Sequence, residues 1–268
     1  MQKIIEEGKV KLKIDSKDIV SKDLEVFFNP KMGLNRSLSV FVLNSLGKEN
    51  LNVCLPLAGT GARAIRILRE VEDVDKKINK IYVNDINPKL NDYVKENIKL
   101  NNLEKIGKEK LVISNVSAQK LFVEDIGFDY IDIDPYGSPN FLLDLAINRI
   151  SEGGILAVTA TDTAPLAGTY PNTCLRKYWA KPMLCPQKHE IALRILSRKV
   201  QLLGLSHNKS LVPVISYHFE HYYRIFFVVK RGKSVCNKLF GKFGNVLYNK
   251  KNGNFQISED CDDKGEFS

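Results

Sequence analysis

The chain has 268 residues, of which 44% are hydrophobic and 26% are charged, as in an ordinary globular protein with room for one large α/β domain. Its apolar runs, such as residues 225–229, are far too short to cross a bilayer, and the N-terminus has no apolar signal core, so we expect a cytoplasmic protein. The five cysteines are scattered without metal-ligand spacing, which predicts neither a metal site nor a disulfide framework.

Charge is distributed unevenly along the chain. Residues 1–171 carry 23 Lys and Arg against 24 Asp and Glu, whereas residues 172–251 carry 16 basic residues against only Glu190 and Glu220. The last 17 residues carry one Lys and five acidic residues. A composition that was simply rich in lysine would spread its charge evenly. The basic segment therefore predicts a polyanionic partner, most simply a nucleic acid.

From residue 51 onward, short apolar runs rich in β-forming residues alternate with amphipathic segments of helical periodicity. The predicted strands cover residues 51–57, 78–85, 110–115, 128–134 and 155–161, and the clearest helices between them cover residues 62–71, 88–100 and 139–150. Nearly continuous apolar strands, each followed by a helix, are typical of a parallel sheet that is covered on both faces.

The pattern changes near residue 189. The spacing predicts a long helix over residues 189–203 that ends at Gly204, followed by two strands over residues 211–220 and 221–232 with almost no connection between them. So short a connection predicts an antiparallel hairpin. Five parallel strands and a terminal hairpin predict a seven-stranded, mostly parallel sheet of the Rossmann-like class I methyltransferase type.

Ligands of such a sheet bind at the carboxyl ends of its strands. The first strand runs into a turn in which Gly59 and Gly61 let the backbone approach a ligand, at the start of a helix with free N–H groups. The second strand ends at Asp85, where an acid can bind ribose hydroxyls. The third is followed by Ser117 and Ala118, which could hold an adenine. These features fit NAD and S-adenosylmethionine equally well.

The end of the fourth strand separates these two cofactors. It reads Asp134-Pro135-Tyr136, which resembles the (Asp/Asn)-Pro-Pro-aromatic motif of methyltransferases that act on exocyclic amines. An aryl amine is a poor nucleophile because its lone pair is delocalised into the ring. A carboxylate and a backbone carbonyl can accept its two N–H groups and take up the proton that is lost. An aromatic ring can stack on the base and align its nitrogen with the methyl donor.

Several further segments carry a more specific resemblance, which covers nearly the whole chain. The most distinctive are Phe-Phe-Asn-Pro at residues 27–30 and Asp-Pro-Tyr-Gly-Ser-Pro at residues 134–139. The other segments are residues 34–37, 59–66, 84–86, 158–162, 174–178, 189–190 and 221–224. Together they resemble the tRNA (guanine-26-N2)-dimethyltransferases.

This resemblance implies direct transfer of methyl groups from S-adenosylmethionine to a guanine N2 in tRNA, without a covalent enzyme intermediate or a metal. It implies that Asp134 accepts the amine and that Phe27 and Tyr136 are aromatic neighbours of the target guanine. With the strand-end residues named above, the expected cofactor contacts are Arg36, Gly59, Gly61, Arg63, Arg66, Asp85, Ser117, Ala118 and Pro135.

The residues leave other functions open. Another amino methyltransferase, acting on rRNA guanine, DNA adenine or protein glutamine, fits the same motif. An NAD-dependent oxidoreductase fits the half-sheet, and a non-catalytic RNA-binding subunit fits the basic segment. The four histidines are interpreted as structural or surface residues, and Tyr178 and Trp179 as packing residues.

The predicted organisation has three parts. Residues 1–50 form an N-terminal extension with a short strand and a helix near residues 37–46, which contributes to the active site. Residues 51–232 form the S-adenosylmethionine-binding methyltransferase domain. Residues 233–268 read as the beginning of a C-terminal domain, with a hairpin over residues 244–248 and 253–257 that turns at Asn252-Gly253. We expect a separate C-terminal polypeptide, or a further segment, to complete that domain.

Overall fold

The computed structural model describes residues 2–15, 28–123, 127–249 and 252–258. At the N-terminus, strands β1 (Gln2–Glu7) and β2 (Val10–Asp15) form an antiparallel hairpin. A 3-10 turn (Pro30–Met32) and helix α1 (Gly33–Ser45) follow the hairpin along the chain. The sequence predicted one strand and one helix here. The structure has a second strand, which pairs with the first.

The central sheet has seven strands, as predicted. They are β3 (Leu51–Leu55), β4 (Ile78–Asn84), β5 (Leu111–Ser114), β6 (Phe128–Ile133), β7 (Ile150–Ala160), β8 (Lys209–Phe219) and β9 (Tyr222–Arg231). Their order across the sheet is β5-β4-β3-β6-β7-β9-β8. The first five strands pair in parallel, and β9 pairs antiparallel with both β7 and β8. The predicted class I methyltransferase sheet with its terminal hairpin is confirmed.

Helices connect the strands and cover the sheet. Beyond α1 they are α2 (Ala62–Glu70), α3 (Val74–Lys77), α4 (Leu90–Leu100), α5 (Glu104–Lys110), α6 (Ala118–Leu121), α7 (Asn140–Arg149), α8 (Thr163–Leu166), α9 (Pro171–Tyr178), α10 (Lys188–Ser206) and α11 (Lys233–Phe240). In the part of the chain that the structure describes, no helix has the length and apolar character that a membrane span requires. The hairpin predicted after α11 is present as β10 (Asn245–Tyr248) and β11 (Phe255–Ser258).

The sheet separates two hydrophobic cores. Successive residues of a strand point to opposite faces, so Ile131 of β6 lies in one core and Tyr130 in the other. Helices α7 and α10 pack on the first face, while α1, α2, α4 and the N-terminal hairpin pack on the second. The second face carries the polar groups described below.

Two asparagines, Asn97 of α4 and Asn101 at the C-cap of that helix, attach the N-terminal hairpin to the domain. Asn97 and Asn101 lie one turn apart, and their side-chain oxygens accept the backbone N–H groups of Lys13 and Lys11 at 2.6 and 2.8 Å. Asn101 also donates to the Lys11 carbonyl at 2.7 Å. These side chains replace the strand partner that β2 lacks on this edge, so its backbone groups are satisfied within the fold.

Gly204 does not end the long helix, as the sequence suggested, because α10 continues to Ser206. A Cβ atom at this position would lie 2.4 Å from a methyl carbon of Leu211 and 2.6 Å from the Lys209 carbonyl oxygen. The glycine is therefore needed for the close approach of α10 to β8.

Lys209 holds the end of α7. This side chain is 4% exposed, and its ammonium group donates to the carbonyl oxygens of Ile147, Asn148 and Ile150 at 2.6, 2.7 and 2.8 Å. The last carbonyls of a helix have no partner within the helix, and a cation is favourable at that end.

We expect Lys209→Met to lower the free energy of unfolding by about 2–4 kcal/mol, since three inward carbonyls lose a charged donor. Urea denaturation measures the loss, and Lys230→Met, at an exposed position on β9, is the matched control. A loss below about 0.5 kcal/mol, the usual range for surface substitutions, would contradict this role.

Candidate active site

A cavity of about 340 Å³ opens at the carboxyl ends of β3 and β6. Its walls come from the 3-10 turn and the start of α1, from the glycine turn after β3, and from the loop after β6. Thr161 and His221 complete the walls from the ends of β7 and the β8–β9 turn. The cavity therefore lies where an open α/β sheet binds its ligands.

The cavity brings together about half of the predicted site residues. Those that line it are Arg36, Gly59, Arg63, Asp134, Pro135 and Tyr136. Those that lie outside its wall are Gly61, Arg66, Asp85, Ser117 and Ala118. Phe27 lies outside the described residues, and the neighbouring Phe28 lines the cavity.

Asp134 follows directly after β6 and faces the cavity. Its Oδ2 atom accepts a hydrogen bond from Nη2 of Arg63 at 2.5 Å. Among the residues that the structure describes, none donates to its other oxygen, Oδ1, which leaves that atom able to accept an N–H group from a ligand. Tyr136, two residues later, is 62% exposed at the rim. An acceptor and an aromatic ring thus stand side by side at the cavity.

The loop that carries Asp134 is held from the neighbouring strand and from α9. Gly137 donates its N–H to the Thr161 hydroxyl at 2.6 Å and accepts from the Thr161 N–H at 3.0 Å. Ser138 hydrogen-bonds to the hydroxyl of the buried Tyr178 at 3.0 Å, and that hydroxyl donates to Asp162 at 2.6 Å. The loop is therefore positioned by hydrogen bonds on both sides.

A buried ion pair lies beneath the cavity. Arg224 of β9 donates from Nη1 and Nη2 to both oxygens of Asp132 of β6, each at 2.7 Å, and the two side chains are 0% and 1% exposed. Arg224 reaches across β7, where its Nη1 also donates to the Thr159 hydroxyl at 2.8 Å. Such a bidentate pair satisfies charge and geometry together.

Further polar groups surround Asp132. Tyr130 donates its hydroxyl to Oδ2 of Asp132 at 2.8 Å, and Ser39 of α1 does so at 3.1 Å. Arg63 of α2 contacts Ser39 at 2.6 Å and lies 3.3 Å from Asp132. Because Arg63 also binds Asp134, it connects the buried ion pair to the carboxylate in the cavity.

The charges of this cluster are stabilised in the folded protein. Burial alone would raise the pKa of Asp132, but the guanidinium groups of Arg224 and Arg63 hold it well below its ordinary value. Burial likewise would lower the pKa of Arg224, and the charge of Asp132 raises it instead. Burial, with the nearby charge of Asp132, raises the pKa of Tyr130, so its hydroxyl remains a donor.

Arg36 and Arg66, both predicted to contact the cofactor, are paired with acidic side chains. Arg36 binds both carboxylate oxygens of Glu7, and Arg66 binds Glu7 at 3.1 Å and Glu70 at 2.7 Å. Arg36 also lies 4.7 Å from the ring centroid of Phe28. Burial would raise the pKa of Glu7, yet the two arginines keep it below its ordinary value. The N-terminal hairpin thus supplies the counter-ion of Arg36 at the cavity wall.

The glycine turn is tied to the end of β4. Asp85 accepts the Gly59 N–H through Oδ2 at 2.8 Å and the Asn87 N–H through Oδ1 at 3.0 Å. Gly61 serves packing: at a φ of 74°, a Cβ atom there would lie 2.4 Å from a methyl carbon of Val94 in α4. Gly59 is therefore held by a hydrogen bond to Asp85, whereas Gly61 is required by close packing against Val94.

The predicted adenine contacts lie at the start of α6. Ser117 caps this short helix, because its hydroxyl accepts the Lys120 N–H at 3.3 Å. Ala118 is buried in the first core. Both lie at the carboxyl end of β5, beyond the wall of the cavity.

Asn29 was not among the predicted site residues, and His221 was interpreted as structural or surface; the two hydrogen-bond to each other at 3.0 Å in the cavity wall. Next to them, Lys31 forms an ion pair with Glu220 at 2.6 Å. These contacts join the 3-10 turn to the β8–β9 turn, and the paired residues lie 192 and 189 positions apart in sequence. No local sequence pattern predicts contacts at such a separation. Asp132 and Arg224 did leave a signal, since each is a charged residue flanked on both sides by apolar or aromatic residues of its strand.

We expect Arg224→Met to lower the free energy of unfolding at neutral pH by about 3–5 kcal/mol, because Asp132 is left buried without its counter-ion. The folded state holds the pKa of Asp132 well below its ordinary value, so the stabilisation is fully present above the ordinary carboxyl pKa and is lost as the pH falls from there towards the lowered pKa. The difference between the wild-type protein and the variant should therefore narrow between about pH 5 and pH 2.

Urea denaturation across that pH range measures the effect, with Arg176→Met, at an exposed position on α9, as the matched control. A difference that stays constant with pH would show that Asp132 is not the group left uncompensated.

Comparison with known proteins places the chain. The profile of a family described as N2,N2-dimethylguanosine tRNA methyltransferase matches residues 8–266. A tRNA (guanine(26)-N(2)/guanine(27)-N(2))-dimethyltransferase of Aquifex aeolicus is 40% identical over 91% of this chain and 62% of its own length. A tRNA (guanine(26)-N(2))-dimethyltransferase of Methanobrevibacter smithii is 34% identical over 98% of this chain and 69% of its own length.

Solved structures agree in fold. Trm1 from Pyrococcus horikoshii, in complex with S-adenosyl-L-methionine, superposes with a TM-score of 0.84 at 33% identity, over 95% of this chain and 68% of that one. Trm5b from Pyrococcus abyssi, at 18% identity, 56% coverage of its own length and a TM-score of 0.59, shares the fold alone. The chain thus spans roughly two thirds of its relatives, and its match to the profile covers nearly all of its residues. It belongs to the N2,N2-dimethylguanosine tRNA methyltransferase family.

Proposed function

We propose that this chain transfers methyl groups from S-adenosylmethionine to the exocyclic N2 of a guanine in tRNA. The observation that carries the proposal is Asp134 at the cavity wall, held by Arg63 and flanked by Pro135 and the exposed ring of Tyr136. Membership of the family and the likeness to Trm1 in complex with S-adenosyl-L-methionine support the same reaction.

The residues of the cavity fit S-adenosylmethionine. This molecule has a carboxylate, two positive groups and an apolar stem, and the cavity offers matching partners. Nε and Nη2 of Arg36 bind Glu7 and Asn29, and its Nη1 suits the carboxylate, while the carboxylate of Asp134 and the ring of Phe28 suit positive charge. Asp85 already binds the glycine turn, and each of its oxygens retains an acceptor position for a ribose hydroxyl. When bound, the cofactor supplies an electrophilic methyl group.

Asp134 accepts the proton that the reaction releases. Its free Oδ1 accepts an N–H of the guanine amine, which favours a tetrahedral nitrogen with its lone pair available for attack. The same carboxylate then takes the proton that the nitrogen loses. Arg63, bound to Oδ2, fixes the direction in which Oδ1 points. The contribution of such an arrangement is chiefly orientation.

Aromatic groups position the base. Tyr136 stands exposed at the rim, where its ring can stack on a guanine that has left its helix. The proposed second aromatic neighbour is Phe27, which precedes the cavity-lining Phe28 in sequence. Stacking is tolerant of base identity, so the choice of guanine rests on the polar groups of the wall.

The position and number of methyl groups follow the relatives. Position 26 is named for both curated relatives described above, and we propose that it is the target here, with mono- and dimethylation. The Aquifex aeolicus relative is also named for guanine 27, which makes that position the second candidate. The basic segment favours tRNA over a small-molecule substrate.

The proposal is tested by incubating the chain with labelled S-adenosylmethionine and unmodified tRNA, and then identifying the labelled nucleoside and its position. We expect N2-methylated guanosine at position 26. We expect Asp134→Ala to reduce turnover by about 10²–10⁴, the usual contribution of an acid–base group, while cofactor affinity changes little.

Asp144→Ala is the matched control, since Asp144 is 61% exposed on α7 and pairs with His207. Label in adenosine or in protein would refute the proposed function. A variant that keeps more than a tenth of wild-type turnover when chemistry limits the rate would refute the role of Asp134.

A further inference from the structure

Trp179 adopts an unusual backbone conformation at the end of α9. Its φ and ψ are 56° and 35°, in the left-handed region that glycine enters freely and a bulky residue enters at a cost. Strain of this kind is retained where the surroundings or the function require the side chain. Burial does not explain it, because Trp179 remains 49% exposed.

Two cations of α10 hold Trp179, one at its ring and one at its backbone carbonyl. The ammonium of Lys199 lies 2.8 Å from the ring centroid and is itself 5% exposed, so it covers one face of the ring. The guanidinium of Arg198 donates to the Trp179 carbonyl at 3.1 Å. Burial lowers the pKa of Lys199 to about 8, which leaves it mostly charged at neutral pH. The exposed surface of the ring is thus presented on a rigid, cationic support.

Trp179 directly follows the end of α9 that binds the loop that carries Asp134. Tyr178, the preceding residue, hydrogen-bonds to Ser138 of that loop at 3.0 Å. The Lys177 carbonyl accepts the side-chain N–H of Asn140 at 2.8 Å. The end of α9 and the loop that carries Tyr136 are therefore neighbours in the fold.

The surface around Trp179 is basic. Arg176, Lys177, Lys181 and Lys188 are all exposed within ten residues of it in sequence, and of these Lys177 pairs with Asp162 at 3.2 Å. Within residues 172–251, acidic residues are only Glu190, which pairs with Arg194, and Glu220, which pairs with Lys31. An exposed aromatic ring among cations is the arrangement that binds unstacked nucleotides.

We propose that Trp179, supported by Lys199 and Arg198, is a stacking platform for a base of the tRNA adjacent to the target guanine. The proposal rests on the proposed function, since it takes the substrate to be tRNA. Extraction of the target base leaves its neighbours without a stacking partner, and the indole ring replaces that partner. A protein partner, by contrast, would leave the surrounding cations without a counter-charge.

The chain allows a direct test, because Trp179 is its only tryptophan. The full chain is titrated with unmodified tRNA while tryptophan emission is recorded, with free N-acetyltryptophanamide as the control for absorption by the RNA. We expect saturable quenching of Trp179 with the same Kd that filter binding reports.

Two variants separate stacking from structure. Trp179→Gly removes the ring at a backbone conformation that glycine prefers, so we expect unchanged or higher stability and a Kd for tRNA that is about 5- to 150-fold higher. Trp179→Phe retains an aromatic face and should restore most of the affinity. Phe41→Ala, which removes a 59% exposed ring on α1 outside the basic segment, should leave the Kd unchanged.

The outcomes are distinct. Quenching of wild-type emission together with weaker binding by Trp179→Gly supports the platform. Wild-type binding of tRNA without quenching, or a Trp179→Gly variant with wild-type Kd, overturns the platform and leaves the proposed function intact. If the wild-type chain binds S-adenosylmethionine but no tRNA even at low salt, the proposed function fails and the platform fails with it.

Discussion

The structure depends on one electrostatic constraint: Asp132 and Asp134 stand two residues apart at the end of the central strand, on the same face of the sheet. Two carboxylates so close repel each other, and Asp132 is removed from water. The fold answers with two arginines from different directions. Arg224 reaches Asp132 from the antiparallel strand β9, and Arg63 reaches both carboxylates from α2.

This constraint explains several features that are far apart in sequence. Ser39 and Tyr130 place hydroxyl groups in the core, where both donate to the buried carboxylate of Asp132. The terminal hairpin, which distinguishes this sheet from an all-parallel one, places Arg224 beneath the cavity. A second cluster, formed by Glu7, Arg36 and Arg66, joins the N-terminal hairpin to the cavity wall. Ion pairs thus connect β9 to the central strand, and the N-terminal hairpin to the cavity wall.

The sequence predicted the sheet well because its signals are local. Apolar strands, their spacing and the near-absence of a connection between β8 and β9 follow from patterns within a few residues. The Asp134-Pro135-Tyr136 motif could likewise be placed, since a strand end fixes its position. The contacts at Arg36 and Arg66 show the limit of this reasoning. The family resemblance implied cofactor contacts for both, and only the folded chain shows that Glu7 and Glu70 lie against them.

Other features had no local signal at all. His221 is one of four histidines without ligand spacing, and its place in the cavity wall depends on Asn29, 192 residues earlier. Gly61 and Gly204 are each required by a side chain of another element, Val94 or Leu211. The exposure of Trp179 depends on the strained backbone after α9 and on Lys199 beneath its ring. These positions follow from packing, which sequence periodicity does not describe.

The central claim is that the buried ion pair positions Asp134 through Arg63. The most direct measurement is the single-turnover rate of methyl transfer by Arg63→Gln at saturating S-adenosylmethionine and tRNA, with Arg69→Gln, an exposed neighbour on α2, as the control. We predict that Arg63→Gln slows this rate by about tenfold to a hundredfold, because Asp134 loses the group that orients it, and that Arg69→Gln does not. A rate for Arg63→Gln within twofold of the wild-type rate, on the order of experimental scatter, would contradict the claim.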